Sequence, residues 1–73
     1  MNKIRKTIKI LPNEMKPWAV SLSKRVKAFV EAHDYNVVDR LKKSDYTICV
    51  GGDGTIMYYN YLGLLSGKII GIG

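Results

Sequence analysis

One short stretch of the sequence combines glycines with an acid and a hydroxyl: residues 51–55 are Gly-Gly-Asp-Gly-Thr. Glycine tolerates positive φ angles and lets a ligand approach the backbone closely. The stretch lies between an apolar segment and a helical one, so we expect unpaired amide N–H groups at a helix start, which attract anions. Gly51, Gly52, Gly54 and Thr55 are therefore predicted to bind phosphate or a nucleotide.

Asp53, in the middle of this stretch, indicates more than phosphate binding. A carboxylate beside phosphates is repelled, so a site that only held phosphate would gain nothing from it. An aspartate there is useful as the proton acceptor for an attacking hydroxyl, or as a group acting through Mg²⁺. We therefore predict phosphoryl transfer to an alcohol with Asp53 as the catalytic residue. The open alternative is that Asp53 or Thr55 only caps the following helix.

The surrounding sequence alternates between strand-like and helix-like patterns. Alternating or β-branched runs predict four strands, at residues 6–11, 35–39, 46–50 and 68–73. Apolar spacing of three and four predicts a long helix over 16–33, and an almost wholly apolar run predicts a buried helix over 56–65. The order β-α-β-β-α-β predicts an α/β fold with a Rossmann-like, layered and mostly parallel sheet.

Composition limits the possible classes of protein. The 73 residues allow one small domain, and the single cysteine, Cys49, excludes an internal disulfide and a CxxC metal site. Residues 1–43 hold eleven of the twelve basic and four of the six acidic residues, a net charge of +7, whereas residues 44–73 carry −1. No signal peptide or membrane-length apolar run is visible, so we expect a cytoplasmic protein without membrane or nucleic-acid partners.

Gly-Gly-Asp-Gly-Thr after an apolar strand resembles the motif of the superfamily that joins NAD kinases, diacylglycerol and sphingosine kinases, and 6-phosphofructokinases. Asn13, Lys16-Pro17 and Ala19 resemble the Asn…Lys-Pro-x-Ala pattern near the start of many NAD kinases. The resemblance covers nearly all of the chain but only the front part of a NAD kinase. We therefore expect residues 1–73 to be the truncated N-terminal α/β half of a two-domain kinase, without the β-rich C-terminal domain and with little activity alone.

The resemblance implies transfer of a phosphoryl group from ATP or polyphosphate to the adenosine ribose 2′-hydroxyl of NAD, giving NADP. Mg²⁺ or another divalent cation would accompany ATP, and the full-length protein would form homo-oligomers. The family's proton acceptor corresponds to Asp53, and the glycine lying against the dinucleotide corresponds to Gly54. Asn13, after the first strand, and Gly71 and Gly73, at the carboxyl end of the last strand, are further candidate site residues.

The sequence departs from the family pattern at three positions: Gly73 replaces an asparagine, Tyr58 replaces a basic residue, and Pro12 precedes rather than follows Asn13. Two other functions stay open. One is a lipid kinase of the diacylglycerol type, although the Met57–Tyr61 stretch lacks the acid usual there. The other is a basic module that binds an anionic polymer through residues 3–43 without catalysis.

Overall fold

The computed structural model describes residues 6–73, so the first basic residues of the chain, at positions 3 and 5, lie outside the described part. Six elements follow in the order β-α-β-β-α-β: β1 (Thr7–Pro12), α1 (Pro17–Ala32), β2 (Asn36–Val37), β3 (Tyr46–Val50), α2 (Asp53–Tyr61) and β4 (Lys68–Ile72). The longer helix has 16 residues, and no helix within residues 6–73 has the length and apolarity needed to cross a membrane.

All four strands form one parallel sheet, so the predicted α/β class is confirmed. The order across the sheet is β2-β1-β3-β4, which is not the order along the chain. The chain crosses from β1 outward to β2 through α1, then returns to the centre and crosses outward in the other direction from β3 to β4 through α2. This layout is compatible with a Rossmann-like arrangement.

The two helices cover opposite faces of the sheet. On one face Ala19 and Val30 of α1 pack with Ile8, Ile48 and Val50. On the other face, Tyr59 of α2 packs with Leu11 and Cys49. When two right-handed crossover connections leave the centre of a parallel sheet in opposite directions, their helices lie on opposite faces of the sheet. The last four residues of β3 are buried on both faces, as predicted from their apolar run.

The second helix differs from its predicted range of 56–65. It begins at Asp53 and ends at Tyr61, because Gly63 adopts a φ of 71° that a continuing helix cannot contain. The prediction that this helix is buried all round is also wrong. Only Thr55 and Tyr59 are buried, whereas Met57 is exposed.

Two buried polar side chains of the sheet anchor the segment between α2 and β4. The Lys9 ammonium donates a hydrogen bond to the Leu64 carbonyl at 2.6 Å, and Lys9 is only 3% exposed. The Thr47 hydroxyl donates to the Ser66 carbonyl at 2.6 Å and accepts from the Ser66 amide at 3.1 Å. Burial lowers the pKa of Lys9, and Asp39 nearby opposes that shift. These bonds hold residues 62–66 over the sheet where helical structure was predicted.

Candidate functional site at the carboxyl edge of the sheet

The three longer strands end at the same level of the sheet. Pro12 of β1 is in register with Val50 of β3, which is in register with Ile72 of β4. The residues that follow these strand ends are therefore neighbours. Asn13 donates its amide to the Val50 carbonyl at 2.7 Å, and Gly51 donates its amide to the Ile72 carbonyl at 2.7 Å. The structure thus brings together the loops after β1 and β3 with the end of β4.

The loops after β1 and β3 lie at the topological switch point of the sheet. The chain leaves β1 towards one edge and β3 towards the other, so the connections at their carboxyl ends diverge. In open α/β sheets such a divergence creates the crevice in which ligands bind. Gly54 and Thr55, with Tyr58 and Tyr59 of the following helix, form one wall of this crevice, and residues 12–15 form the other.

Gly51 and Gly52 form a turn that other residues could not form easily. Their φ angles are 140° and 100°, in a region that L side chains rarely adopt. A Cβ on Gly51 would lie 2.5 Å from Cβ of Asn13 and 2.6 Å from Oγ1 of Thr55. Gly51 is therefore required by the close contact between the two loops, whatever ligand binds, whereas Gly52 is favoured by its positive φ alone.

Fewer backbone amides are available to bind an anion than the sequence predicts. Gly51 and Gly52 both donate to the Ile72 carbonyl, at 2.7 Å and 3.3 Å, so the turn uses these two groups to bind β4. Thr55 donates its amide to the Gly52 carbonyl at 3.1 Å. Within residues 6–73, the amides of Asp53 and Gly54 have no acceptor, as is usual for the first turn of a helix. Any anion would therefore meet the amides of 53 and 54.

The Thr55 hydroxyl adds a third unpaired group. Thr55 is only 3% exposed, and its Oγ1 atom is buried without a hydrogen-bond partner among the described residues. A buried hydroxyl without a partner costs free energy, on the order of 1–3 kcal/mol. Thr55 also lines the crevice beside Asn13. A ligand oxygen in that crevice would satisfy this hydroxyl.

Asp53 is the first residue of α2, and Gly52 is the residue that caps the helix. No side-chain cap is formed, so the alternative in which Asp53 or Thr55 serves as the cap is wrong. Glycine supplies the required φ of 100°, which explains why the capping position lacks a polar side chain. Asp53 is exposed, and its carboxylate makes no hydrogen bond or ion pair with residues 6–73. Its remaining local role is a favourable interaction with the helix dipole.

Two clefts border the start of α2 on different sides. The larger, of about 500 Å³, lies between the loop after β1 and α2 and is lined by Asn13, Glu14, Gly54, Thr55 and others. The smaller, of about 340 Å³, lies between α2 and the end of β4; its lining residues are Gly52, Asp53, Ile56, Gly71, Ile72 and Gly73. Thr55 lines the first cleft, although its hydroxyl is itself buried, and Asp53 lines the second. All the predicted site residues therefore border one of the two clefts or the turn between them.

The glycines at the end of β4 make room for this second cleft. A Cβ on Gly73 would lie 2.7 Å from Cα of Gly52, and one on Gly71 would lie 2.8 Å from Cδ1 of Ile56. Gly73, which replaces the asparagine of the family pattern, therefore lies close against the Gly51-Gly52 turn.

Sequence reasoning missed two contributors to the crevice. The Tyr59 hydroxyl donates to the Pro12 carbonyl at 2.7 Å, joining α2 to the end of β1, and Tyr59 is almost fully buried. Burial raises the pKa of this hydroxyl, with Glu14 adding to the shift, so it remains a donor at neutral pH. Lys16 donates to the Gly51 carbonyl at 3.2 Å. Only the Lys-Pro resemblance pointed towards Lys16, and nothing distinguished Tyr59 from its neighbouring tyrosines.

The described residues contain no group of three or more His, Cys, Asp or Glu side chains arranged to hold a metal ion. Magnesium commonly binds one or two carboxylates together with substrate phosphates and water. The isolated Asp53 carboxylate, beside unpaired amides suited to phosphate, fits an ion that arrives with ATP rather than one held by the protein alone.

Comparisons of the chain with protein-family models, with curated proteins and with solved structures find no match.

Proposed function

We propose that residues 6–73 form the nucleotide-binding start of a NAD kinase-like phosphotransferase in which Asp53 is the proton acceptor. The observation that carries the proposal is the position of Asp53. Asp53 is exposed at the start of α2 and has no capping role. It lines the second cleft, and the next two residues of the helix, Gly54 and Thr55, line the first. A two-substrate reaction needs two ligand volumes that meet at the reacting atoms.

The first cleft suits the phosphates of the donor. The amide of Gly54 and the hydroxyl of Thr55 are unpaired there, and the α2 N-terminus adds partial positive charge. When bound with ATP, Mg²⁺ would neutralise phosphate charge; the carboxylate that lines this cleft is Glu14, whereas Asp53 lines the second cleft. The protein's own contribution is to fix the phosphate oxygens by these donors.

The second cleft suits the alcohol. A ribose 2′-hydroxyl there would form a bond from its oxygen to the γ-phosphorus, while the bond from that phosphorus to the bridging oxygen of ADP breaks. ADP leaves with the electron pair, and the hydroxyl proton moves to the Asp53 carboxylate. The products are NADP, ADP and a proton that Asp53 then releases to water.

The test is NADP formation from NAD with ATP or polyphosphate and Mg²⁺, measured for the 73-residue chain and for the same chain continued through its downstream reading frame. Asp53→Asn keeps the size of the side chain but removes the base, so it should lower the rate by about 10²–10⁴-fold. Glu31→Gln, which neutralises an exposed acid at the far end of α1, is the matched control and should leave the rate unchanged.

Two results would contradict the proposal. If neither protein phosphorylates NAD while both are folded, the NAD kinase assignment is wrong, and diacylglycerol is the next acceptor to assay. If NADP forms equally well with Asp53→Asn, the transfer does not depend on this base.

A further inference from the structure

Lys16 joins the two loops that form the crevice. It belongs to the loop after β1, yet its ammonium donates to the carbonyl of Gly51 in the turn after β3, at 3.2 Å. The same ammonium lies 5.9 Å from the ring centroid of Trp18, within the range of a cation–π interaction. Trp18 is 47% exposed, so its ring is available to support Lys16.

The loop conformation directs Lys16 towards the turn. The Asn13 carbonyl accepts the Lys16 amide at 3.0 Å, and the Asn13 side-chain oxygen accepts the Met15 amide at 3.0 Å. The Asn13 amide is itself bound to the Val50 carbonyl, directly before Gly51. Four residues of loop are thereby closed into a tight turn that ends with Lys16 beside Gly51.

A lysine at this position is not explained by the stability of α1. Lys16 is the N-cap residue of that helix and forms no side-chain cap. Ser, Thr, Asp and Asn are preferred there, and a cation near a helix N-terminus is disfavoured by the helix dipole. No acid in the first turn compensates for the charge. The residue type therefore fits its contact with Gly51 better than its place in α1.

We infer that Lys16 is a positioning residue for phosphoryl transfer, acting through the Gly51 carbonyl and supported by Trp18. The bond holds the carbonyl side of the peptide that joins Gly51 to Gly52, whose amide side binds the Ile72 carbonyl at the longer distance of 3.3 Å. Because Gly51 and Gly52 carry no side chain to restrict this peptide, its orientation influences the directions of the Asp53 and Gly54 amides that follow. The effect of Lys16 on the reaction rate rests on the proposed function of Asp53, whereas the effect of Lys16 on the conformation of the turn does not.

The test separates positioning from stability by using a better helix cap. Lys16→Ser removes the bond to Gly51 but provides a favoured N-cap, so the midpoint of thermal unfolding should stay the same or rise. Hydrogen exchange of the Gly51 and Gly52 amides, which bind Ile72, should become about tenfold faster as the turn loosens. The kcat for NADP formation should fall about tenfold with KM little changed.

Two further variants complete the experiment. Lys16→Arg keeps a donor and a cation over Trp18 and should restore slow exchange and most of the rate. Lys24→Ser, at an exposed lysine in α1, is the control and should change neither quantity.

The inference is overturned if Lys16→Ser leaves the exchange of Gly51 and Gly52 unchanged, or if exchange increases throughout the chain as the unfolding midpoint falls. If the wild-type protein continued through its downstream reading frame is folded but makes no NADP, that result contradicts the proposed function instead, and the exchange measurement still decides the role of Lys16.

Discussion

At the scale of single residues, Asp45 and Thr7 join the amino ends of β3 and β1. The Asp45 carboxylate accepts from the Thr7 amide at 2.8 Å and from the Thr7 hydroxyl at 3.1 Å, while the Thr7 hydroxyl accepts the Asp45 amide at 2.9 Å. The bonds from the Thr7 amide and hydroxyl lower the pKa of Asp45 below its ordinary 3.8. The ionised carboxylate is therefore preferred in the folded state.

This preference predicts a pH dependence with a definite sign. Because the folded-state pKa is lowered, the stabilisation is present above pH 3.8 and is lost as the pH falls through the folded-state value. Asp45→Asn should lower the free energy of urea unfolding at pH 7, and its difference from wild type should shrink as the pH falls below about 3.8. Glu31→Gln is the control. A difference that stays constant from pH 7 to pH 2 would show that the charge of Asp45 does not stabilise the fold.

Residue types and their spacing predicted the position of Asp53 because a Gly-rich turn between a strand and a helix leaves few conformations open. They did not predict which amides stay unpaired. That depends on the Ile72 carbonyl, twenty-one residues beyond Gly51 and brought beside it only by the parallel pairing of β3 with β4. Long-range partners of this kind have no local pattern in a sequence.

At the scale of elements, Lys9 couples β1 to the connection between α2 and β4. Its buried ammonium satisfies the Leu64 carbonyl, which lies just beyond the end of α2. Lys9→Met keeps most of the aliphatic stem but leaves that carbonyl without a donor, which should lower the unfolding free energy by about 1–3 kcal/mol. Urea unfolding at neutral pH measures this, with the exposed Lys24→Met as the control. Equal or greater stability of Lys9→Met would mean that the bond does not offset the cost of burying the amine.

The alternation of residues 6–11 predicted β1, but it did not show that Lys9 is buried. The α2 face of the sheet is covered only by a short helix and the segment after it, so a polar side chain is enclosed there by backbone carbonyls. The same segment was mistaken for helix because its leucines pack as helical residues would. Periodicity identifies a buried side chain but does not reveal whether helix or loop carries it.

At the scale of the whole molecule, one group of exposed basic residues lies away from the candidate site, although Lys16 and Arg40 lie beside it, on Gly51 and over the ring of Tyr59. The exposed basic residues of α1 are Lys24, Arg25 and Lys27. They lie on the helix that covers the face opposite α2, and Lys24 is about 10 Å along α1 from its start at the crevice. A module that bound an anionic polymer would use this basic surface. A phosphotransferase would use the start of α2.

Pyrophosphate binding, followed by the amide shifts of Asp53 and Gly54, discriminates between these two functions. Thr55→Val removes the unpaired buried hydroxyl, so it should weaken binding about tenfold without loss of stability, since a buried group without a partner is removed. Replacing Lys24, Arg25 and Lys27 together by Gln should change the affinity for pyrophosphate little. Raising the salt concentration from 50 to 200 mM should also weaken binding only modestly. A protein that contacts many phosphates typically loses roughly thousandfold or more in affinity over that range. If the triple variant abolishes binding while Thr55→Val has no effect, the anion binds the basic face of α1. The start of α2 would then be a structural turn, because its unpaired amides would be available to phosphate and yet unused.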